Sequence, residues 1–398
     1  LYYSIENQLN NLFKYSHLVC QKHLIPVVFA FFCIFSVSTS FGKTGIDVFG
    51  HALYLNYAKI DFTISKPVSP QKIQGHVQQL NNLTIEALID ELDAHAIAFG
   101  MDDMAYLLFV KKVSEKYYGQ TVEAKLFQYV LLKQKGYRTI LGFSEDQLTT
   151  YAHLDFKVHN VLFVTHQGLV FTDVSFTKNA EPCIEALLEP SKGGRAITMN
   201  EKRPPFYNAL ESKYQIYFEF EGMLYQFQGK LNQSLVAYYK ELPDVEFGQV
   251  YLNYQLSDKA KLGLINDLKR ATDGMFAAKK IDFLLQFAQH AFIYKADLEA
   301  YGSEKFAFPE EILANAYADC EDKSVMFAYL AKEVLELPSV ALIYYLDHHL
   351  NVGVAFNHKT SYNFIYNNQK YLVCEPSGLG FKPGENVYDV KRASIVNW

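Results

Sequence analysis

The apolar period changes several times along the chain, and each change marks an element. Over residues 46–64 the run IDVFGHALYLNYAKIDFTI mixes β-branched and aromatic residues in partial alternation and then meets Pro67 and Pro70. That reads as two strands ending in a turn. Over 76–135 the period becomes helical: LTIEALIDELDAHAIAFG and DDMAYLLFVKKVSEKYYG close at Gly100 and Gly119, and EAKLFQYVLLKQKGY stops at Gly136. Strand-like runs return over 137–176, and a loop rich in Pro, Gly, Lys and Glu over 177–206 marks a boundary. Residues 214–220 and 223–227 alternate around Glu221-Gly222, a hairpin signal, and SLVAYY and QVYLNYQL read as two more strands. From Lys259 the chain is helical again, with Ile281, Leu284, Leu285, Ala288 and Phe292 on one stripe; the last hundred residues read as a helix followed by strands.

This order predicts an α+β fold with N-terminal strands at 43–75, a first helix-then-strand region at 76–200, a β-rich spacer at 201–258 and a second helix-then-strand region at 259–398. Ahead of it, residues 24–37 (LIPVVFAFFCIFSV) form an apolar stretch preceded by Lys22 and followed by Ser38, Thr39 and Ser40. A basic start, a short apolar middle and a small-residue exit fit a signal peptide occupying 1–42, cleaved between residues 37 and 43. Fourteen apolar residues fall short of the ~20 that span a bilayer, so a membrane contact would come only through an uncleaved leader. The chain is therefore expected to be exported, periplasmic or secreted.

Composition narrows the function classes. Half of the 398 residues are hydrophobic and 15% are aromatic, which excludes a disordered chain. A formal net charge of −6 argues against a phosphate-tracking surface, so nucleic acid is not an expected partner. Five cysteines without a CxxC pair exclude a disulfide scaffold, and no His/Cys cluster has metal-ligand spacing. Cys20 and Cys33 belong to the leader, leaving Cys183, Cys320 and Cys374.

Candidate chemistry concentrates at Cys320. After Asp319-Cys320, residues Met326, Leu330, Val334 and Leu337 recur at helical spacing, so the cysteine opens a helix. There the unpaired N–H groups and the positive dipole end favour thiolate. Alone, Cys320 also fits a buried small side chain, but Asp319, Glu321, Asp322 and Lys323 flank it. A nucleophilic Cys needs a base, and the base an orienting group. His348 and His349 head an apolar alternating run in DHHLNVGVAF, and Glu375 follows another in KYLVCEPSG. Alternation sends the two histidines to opposite faces. Cys374, one residue from Glu375, should face away into the core; a Cys183–Cys374 disulfide is the other option for it. His358 and Asp389 read as surface residues.

These segments resemble the bacterial core pattern of the transglutaminase-like superfamily of papain-fold cysteine enzymes. The matches are Ala318-Asp319-Cys320 in ADCEDKSVMF, His349 in HLNVGV and Glu375-Pro376 in KYLVCEPSG, within residues 275–380. Ala318 stands where Gly is usual and Glu375 where Asp is usual. The resemblance implies a papain-like domain with an antiparallel sheet, Cys320 as nucleophile, His349 as general base and acid, and Glu375 as the carboxylate orienting the imidazole. Its oxyanion-hole side chain has no match here; the Cys320 N–H is the donor to name, with Tyr317 beside it.

The implied function is a thiol enzyme acting on amide or peptide bonds of a protein or peptide substrate through an acyl-enzyme, with no cofactor and no metal required. Hydrolysis is favoured over cross-linking, since water is always present and nothing marks an amine-acceptor site. The competing reading is a secreted or envelope-associated scaffold that keeps the fold without the chemistry. It is encouraged by a loose internal match placing Val122 on Cys320, His153 on His349 and Asp173 on Glu375, as if residues 76–176 were an emptied copy of the same module.

Overall fold

Pro70 opens the first helix of the computed structural model, α1 (Pro70–Asn82), where the sequence pattern reads a turn. Its fixed φ and missing N–H suit a first helical turn, and only Ile73 and Leu80 of this helix are buried, too sparse a stripe to announce itself. The structure describes residues 44–397 apart from 83–84, 145–146, 179–185, 189–192, 200–204, 207–209, 246–250, 252–254, 303–304 and 357–361. The apolar leader, Cys20, Cys33, Cys183, His358 and most of QVYLNYQL lie outside the described residues. The chain divides into two units, one of 1–44 with 56–58 and one of 45–55 with 59–398; apart from Thr44, every element below belongs to the second. No helix among the described residues is long and apolar enough to cross a membrane.

A short hairpin of β1 (Thr44–Val48) and β2 (His51–Leu55) precedes the helices. Then come α2 (Glu86–Phe99), α3 (Asp103–Tyr118) and α4 (Val122–Gln134). Asp102 and Thr121 start the latter two by accepting from the N–H groups of Ala105 and Ala124, each satisfying a donor that the first turn leaves open. Five antiparallel strands follow: β3 (Thr139–Phe143), β4 (Leu148–Ala152), β5 (Phe163–His166), β6 (Leu169–Asp173) and β7 (Ala186–Leu188), in the order β5-β6-β4-β3-β7.

The spacer departs from its expected all-strand character. β8 (Glu211–Phe220) and β9 (Met223–Asn232) form the expected hairpin, turning on Glu221 and Gly222, both at positive φ. SLVAYY, however, is helical, within α5 (Gln233–Glu241). Asn232 caps it by accepting from Leu235 N, and Leu235, Val236, Tyr238 and Tyr239 face the core at i, i+1, i+3 and i+4. β-Branched and aromatic content alone gave the wrong period.

The second region runs through α6 (Asp258–Ala271), α7 (Ala277–His290), β10 (Ile293–Tyr294), α8 (Asp297–Tyr301), α9 (Pro309–Asn315), β11 (Tyr317–Ala318) and α10 (Cys320–Leu335). It ends in β12 (Ser339–Tyr344), β13 (His349–Ala355), β14 (Phe364–Tyr366), β15 (Gln369–Cys374) and β16 (Ser394–Asn397), an antiparallel sheet of order β14-β15-β13-β12-β16. Helix α10 and α6, α7, β8 and β9 share one apolar core with Val352, Val354 and Cys374 of the sheet. The opposite face, with Val340, Leu342, Tyr344, Val373 and Ile395 of β16, is covered by Tyr388 and Val390. The protein is thus mixed helix and antiparallel sheet, with α10 buried against the sheet that carries His349.

The two sheets repeat one strand order, each after a helix opened by a capping side chain. Their hairpins fix the equivalence: β5–β6 turns on Gln167-Gly168 and β14–β15 on Asn367-Asn368, all four at positive φ. Counting inward aligns Asp173 with Val373, and the ladders Tyr151–Asp173 and Gly353–Val373 carry the frame across to the neighbouring strands. In this frame Val122 takes the helix-start place of Cys320. Gln147, whose carbonyl accepts from Ser144 N, takes that of His349, and Ser175 that of Glu375. His153 falls level with Ala355 instead, six residues beyond the place of His349, and Asp173 falls two residues before that of Glu375, so the residue-type match of the sequence does not keep the strand register. The first sheet holds no nucleophile, imidazole and carboxylate at these three places.

Candidate functional site

Asp319 caps α10 with Oδ1 on Asp322 N at 3.2 Å, which leaves Cys320 as the first helical residue. The other two predicted residues come from the sheet. His349 begins β13 opposite Tyr344, and Glu375 follows β15, the strand beside β13. His349 Nε2 lies 2.6 Å from Glu375 Oε2. Glu375 Oε1 accepts from Ser377 N at 3.1 Å and Ser377 Oγ at 2.6 Å. His348 is an exposed turn residue at positive φ, so the geometry joins His349, not His348, to the carboxylate.

Several supporting residues carried no signal by type. Asn351, two along β13 and so on the same face as His349, fits best with its amide nitrogen toward the carboxylate, donating to Glu375 Oε2 at 2.6 Å. Tyr388 stacks on the imidazole at 4.5 Å between ring centroids and 27° between planes. Asn386 holds that tyrosine by accepting from Tyr388 N and donating to its carbonyl. Buried Gln289 of α7 donates to the carbonyls of Glu375 (2.9 Å) and Phe381 (3.1 Å) and accepts from Gly380 N. A Cβ on Gly378 would stand 2.8 Å from Glu375 Cγ, so the bend that aims the carboxylate needs glycine there. Alternation could have flagged Asn351; the others are brought in by tertiary folding.

Burial draws His349 toward its neutral form, but the bond to Glu375 and that group's charge outweigh it and raise the pKa. Burial pushes Glu375 up, and the bonds from His349 and Ser377 more than reverse it. The carboxylate therefore stabilises the imidazolium that forms when His349 takes up a proton.

Cys320 behaves otherwise. Its Sγ donates to Glu321 Oε2 at 2.7 Å and makes no hydrogen bond to His349. Burial, then the charge and bond of Glu321 and the charge of Asp319, push the thiol far above its usual pKa. Burial and the Glu321 and Asp319 carboxylates thus oppose the thiolate expected from the helix start. Cys374 is a buried, free thiol in the core, so it is not half of a disulfide. Asp389 is exposed and caps a short 3-10 turn. Tyr317 lies on β11 with its ring against Tyr301, lining a cleft of about 500 Å³ that also touches Tyr239, Tyr251 and Lys305.

Beneath the thiol the carboxylates of Asp297, Asp319 and Asp322 have oxygens within 4.8 Å of one another, all buried. Asp322 accepts from Ala307 N at 2.7 Å. Burial, followed by the neighbouring acids, holds Asp322 well above the ordinary range and pushes Asp319 up to about 8. Glu310 and Glu311 are also raised by burial. The folded state keeps protons that the unfolded chain releases near 3.8, so this stabilisation is complete below that value and is lost as pH rises toward about 8. The melting midpoint is expected to fall steadily between pH 5 and 8, and Asp322→Asn should flatten that slope; a flat wild-type profile by circular dichroism would count against the shared protons.

Comparison of the chain with protein-family models finds no match, and comparison with curated proteins finds none either.

Proposed function

We propose that the protein is a thiol acyl-transfer enzyme of the transglutaminase-like type, with a papain-like arrangement of α10 against the second sheet, acting on amide or peptide bonds. The single observation that carries this reading is the His349–Glu375 pair, bonded at 2.6 Å on the sheet that packs beneath the helix opened by Cys320. Glu375 orients the imidazole through Nε2 and leaves Nδ1 to take the thiol proton. The thiolate then attacks the carbonyl, the leaving amine takes that proton from His349, and water releases the acyl group from sulfur. The Cys320 N–H at the helix start is the donor available to a developing oxyanion. The cleft lined by Tyr317, three residues before Cys320 in the chain, is the proposed seat of a substrate chain leading toward the thiol, and its aromatic lining suits an extended peptide. Hydrolysis is the favoured outcome, and export through the 1–42 leader would place the substrate outside the cytoplasm.

A specific observation keeps the scaffold reading as the alternative: the thiol is bonded to Glu321 rather than to His349. The test is to incubate the protein with a peptide-amide library and trap acyl-enzyme by rapid acid quench and peptide mass mapping. Acyl adducts confined to Cys320, with ammonia or amine released in step, are expected. Absence of any adduct across the library, with the protein folded, favours the scaffold.

A further inference from the structure

We infer that Glu321 is a latch on the nucleophile: its carboxylate holds the Cys320 proton away from His349 until an occupant of the site displaces it. This rests on the reading of Cys320 and His349 as a working pair. Three observations carry it. Glu321 Oε2 lies 2.7 Å from Sγ, within reach of the thiol proton. The same carboxylate lies close enough to His349 for its charge to act on the imidazole. His349 spends Nε2 on Glu375 and has no hydrogen bond at Nδ1 among the described residues.

The titratable groups that act on the thiol are Glu321 and Asp319 of its own helix start, with Tyr294 of β10 and Tyr388 also in range, and Asp297 of α8 and Asp322 cluster with Asp319. All of these are acids, so the thiol is surrounded by groups that disfavour a second negative charge. Of these, Glu321 alone is bonded to the sulfur. Release is a simple exchange: the S–H···O bond to Glu321 breaks, the proton moves from Sγ to Nδ1, and a thiolate–imidazolium pair remains. A substrate amide N–H or a cationic group that draws Glu321 aside would unlatch the site, so an empty enzyme would be slow toward general thiol reagents. As a positioning residue Glu321 acts only through Cys320.

The test is the pH profile of iodoacetamide alkylation at Cys320 in the full chain, read by peptide mass mapping, with circular dichroism melting to establish folding. Glu321→Gln is expected to label about tenfold faster near neutrality and to move the profile down by about one pH unit, since each unit of thiol pKa is a factor of ten in thiolate. Glu321→Asp withdraws the carboxylate by one methylene while keeping its charge, and should fall between wild type and glutamine. A glutamine variant no faster than wild type overturns the latch, and so does an aspartate profile superimposable on the wild type. Adding His349→Ala to Glu321→Gln separates the two readings. Loss of the gain supports both; retention of the gain shows that Glu321 suppresses the thiolate without His349, and overturns the Cys–His pair together with the latch that rests on it.

Discussion

Glu375→Gln is expected to lower kcat/KM for an amide substrate by about 10³–10⁴-fold, the loss that removal of a triad's orienting carboxylate brings, or about 4–5.5 kcal/mol of transition-state stabilisation. The side chain stays the same length, so the change is in what it offers. Oε2 now accepts from His349 and Asn351, and Oε1 from Ser377. An amide in its place must turn an NH₂ toward one of these donors, and the imidazole loses the partner that selects its tautomer. The sign of the pH effect follows from the same bond. Burial lowers the His349 pKa, and Glu375 supplies the largest of the influences that raise it; with glutamine that influence is gone and burial weighs more, so the acid limb of the rate profile should move to lower pH while the plateau falls. Glu375→Asp keeps the charge but draws it back one methylene, and should retain part of the rate and the wild-type limb. A glutamine variant within a few-fold of wild type would mean that the carboxylate has no part in the reaction.

Residue types and spacing made the His349–Glu375 pair legible: alternation sent His348 and His349 to opposite faces, the resemblance of HLNVGV chose His349, and the order along the chain named the carboxylate. What the sequence could not show is the balance of fields at Cys320. Asp319, Glu321 and Asp322 are visible beside the cysteine, yet their cost depends on burial and on Asp297 arriving from α8. The helix-start argument for a thiolate weighed the dipole without that burial. Local patterning failed in a related way at 233–241, where strand-forming side chains lie on a helix because Asn232 caps it and the core accepts a helical stripe.

The internal match shows which part of a repeat residue types can reveal. Val122 and Cys320 align by sequence and occupy the same helix-start place after Thr121 and Asp319. His153 and His349 align by type and sit at different ladder positions: His349 pairs with Tyr344 at the turn end of β13, whereas His153 lies just past Ala152, which pairs with Thr139 at the far end of β4. Strand register is fixed by turn geometry, which composition does not encode. Only the ladders show that Gln147 and Ser175 hold the places of His349 and Glu375, neither of them able to relay a proton from a thiol.

Phe287→Ala is expected to destabilise the fold by about 3–5 kcal/mol, the range for emptying a buried phenylalanine site. Phe287 is fully buried on α7, with ring centroids 5.6 Å from Phe218, 5.4 Å from Phe227 and 5.9 Å from Phe292, all edge-on. The two hairpin strands bring Phe218 and Phe227 from one side and α10 closes the core from the other, so the space cannot collapse without moving an element. Each lost edge-to-face pair adds about 0.5–1.5 kcal/mol to the lost burial. Urea unfolding followed by circular dichroism should show an earlier midpoint with an unchanged slope; a loss below about 1 kcal/mol, an ordinary surface effect, would show that this cluster does not hold the two elements together. The consequence reaches the site through Gln289, two residues along the same helix, whose side chain ties down the carbonyls of Glu375 and Phe381. Below the unfolding transition that tie keeps Glu375 in place, so the folded fraction of Phe287→Ala should label at Cys320 with the wild-type pH profile. Gln289→Leu, which cuts the tie and leaves the aromatic cluster whole, should instead shift the profile while the protein remains folded.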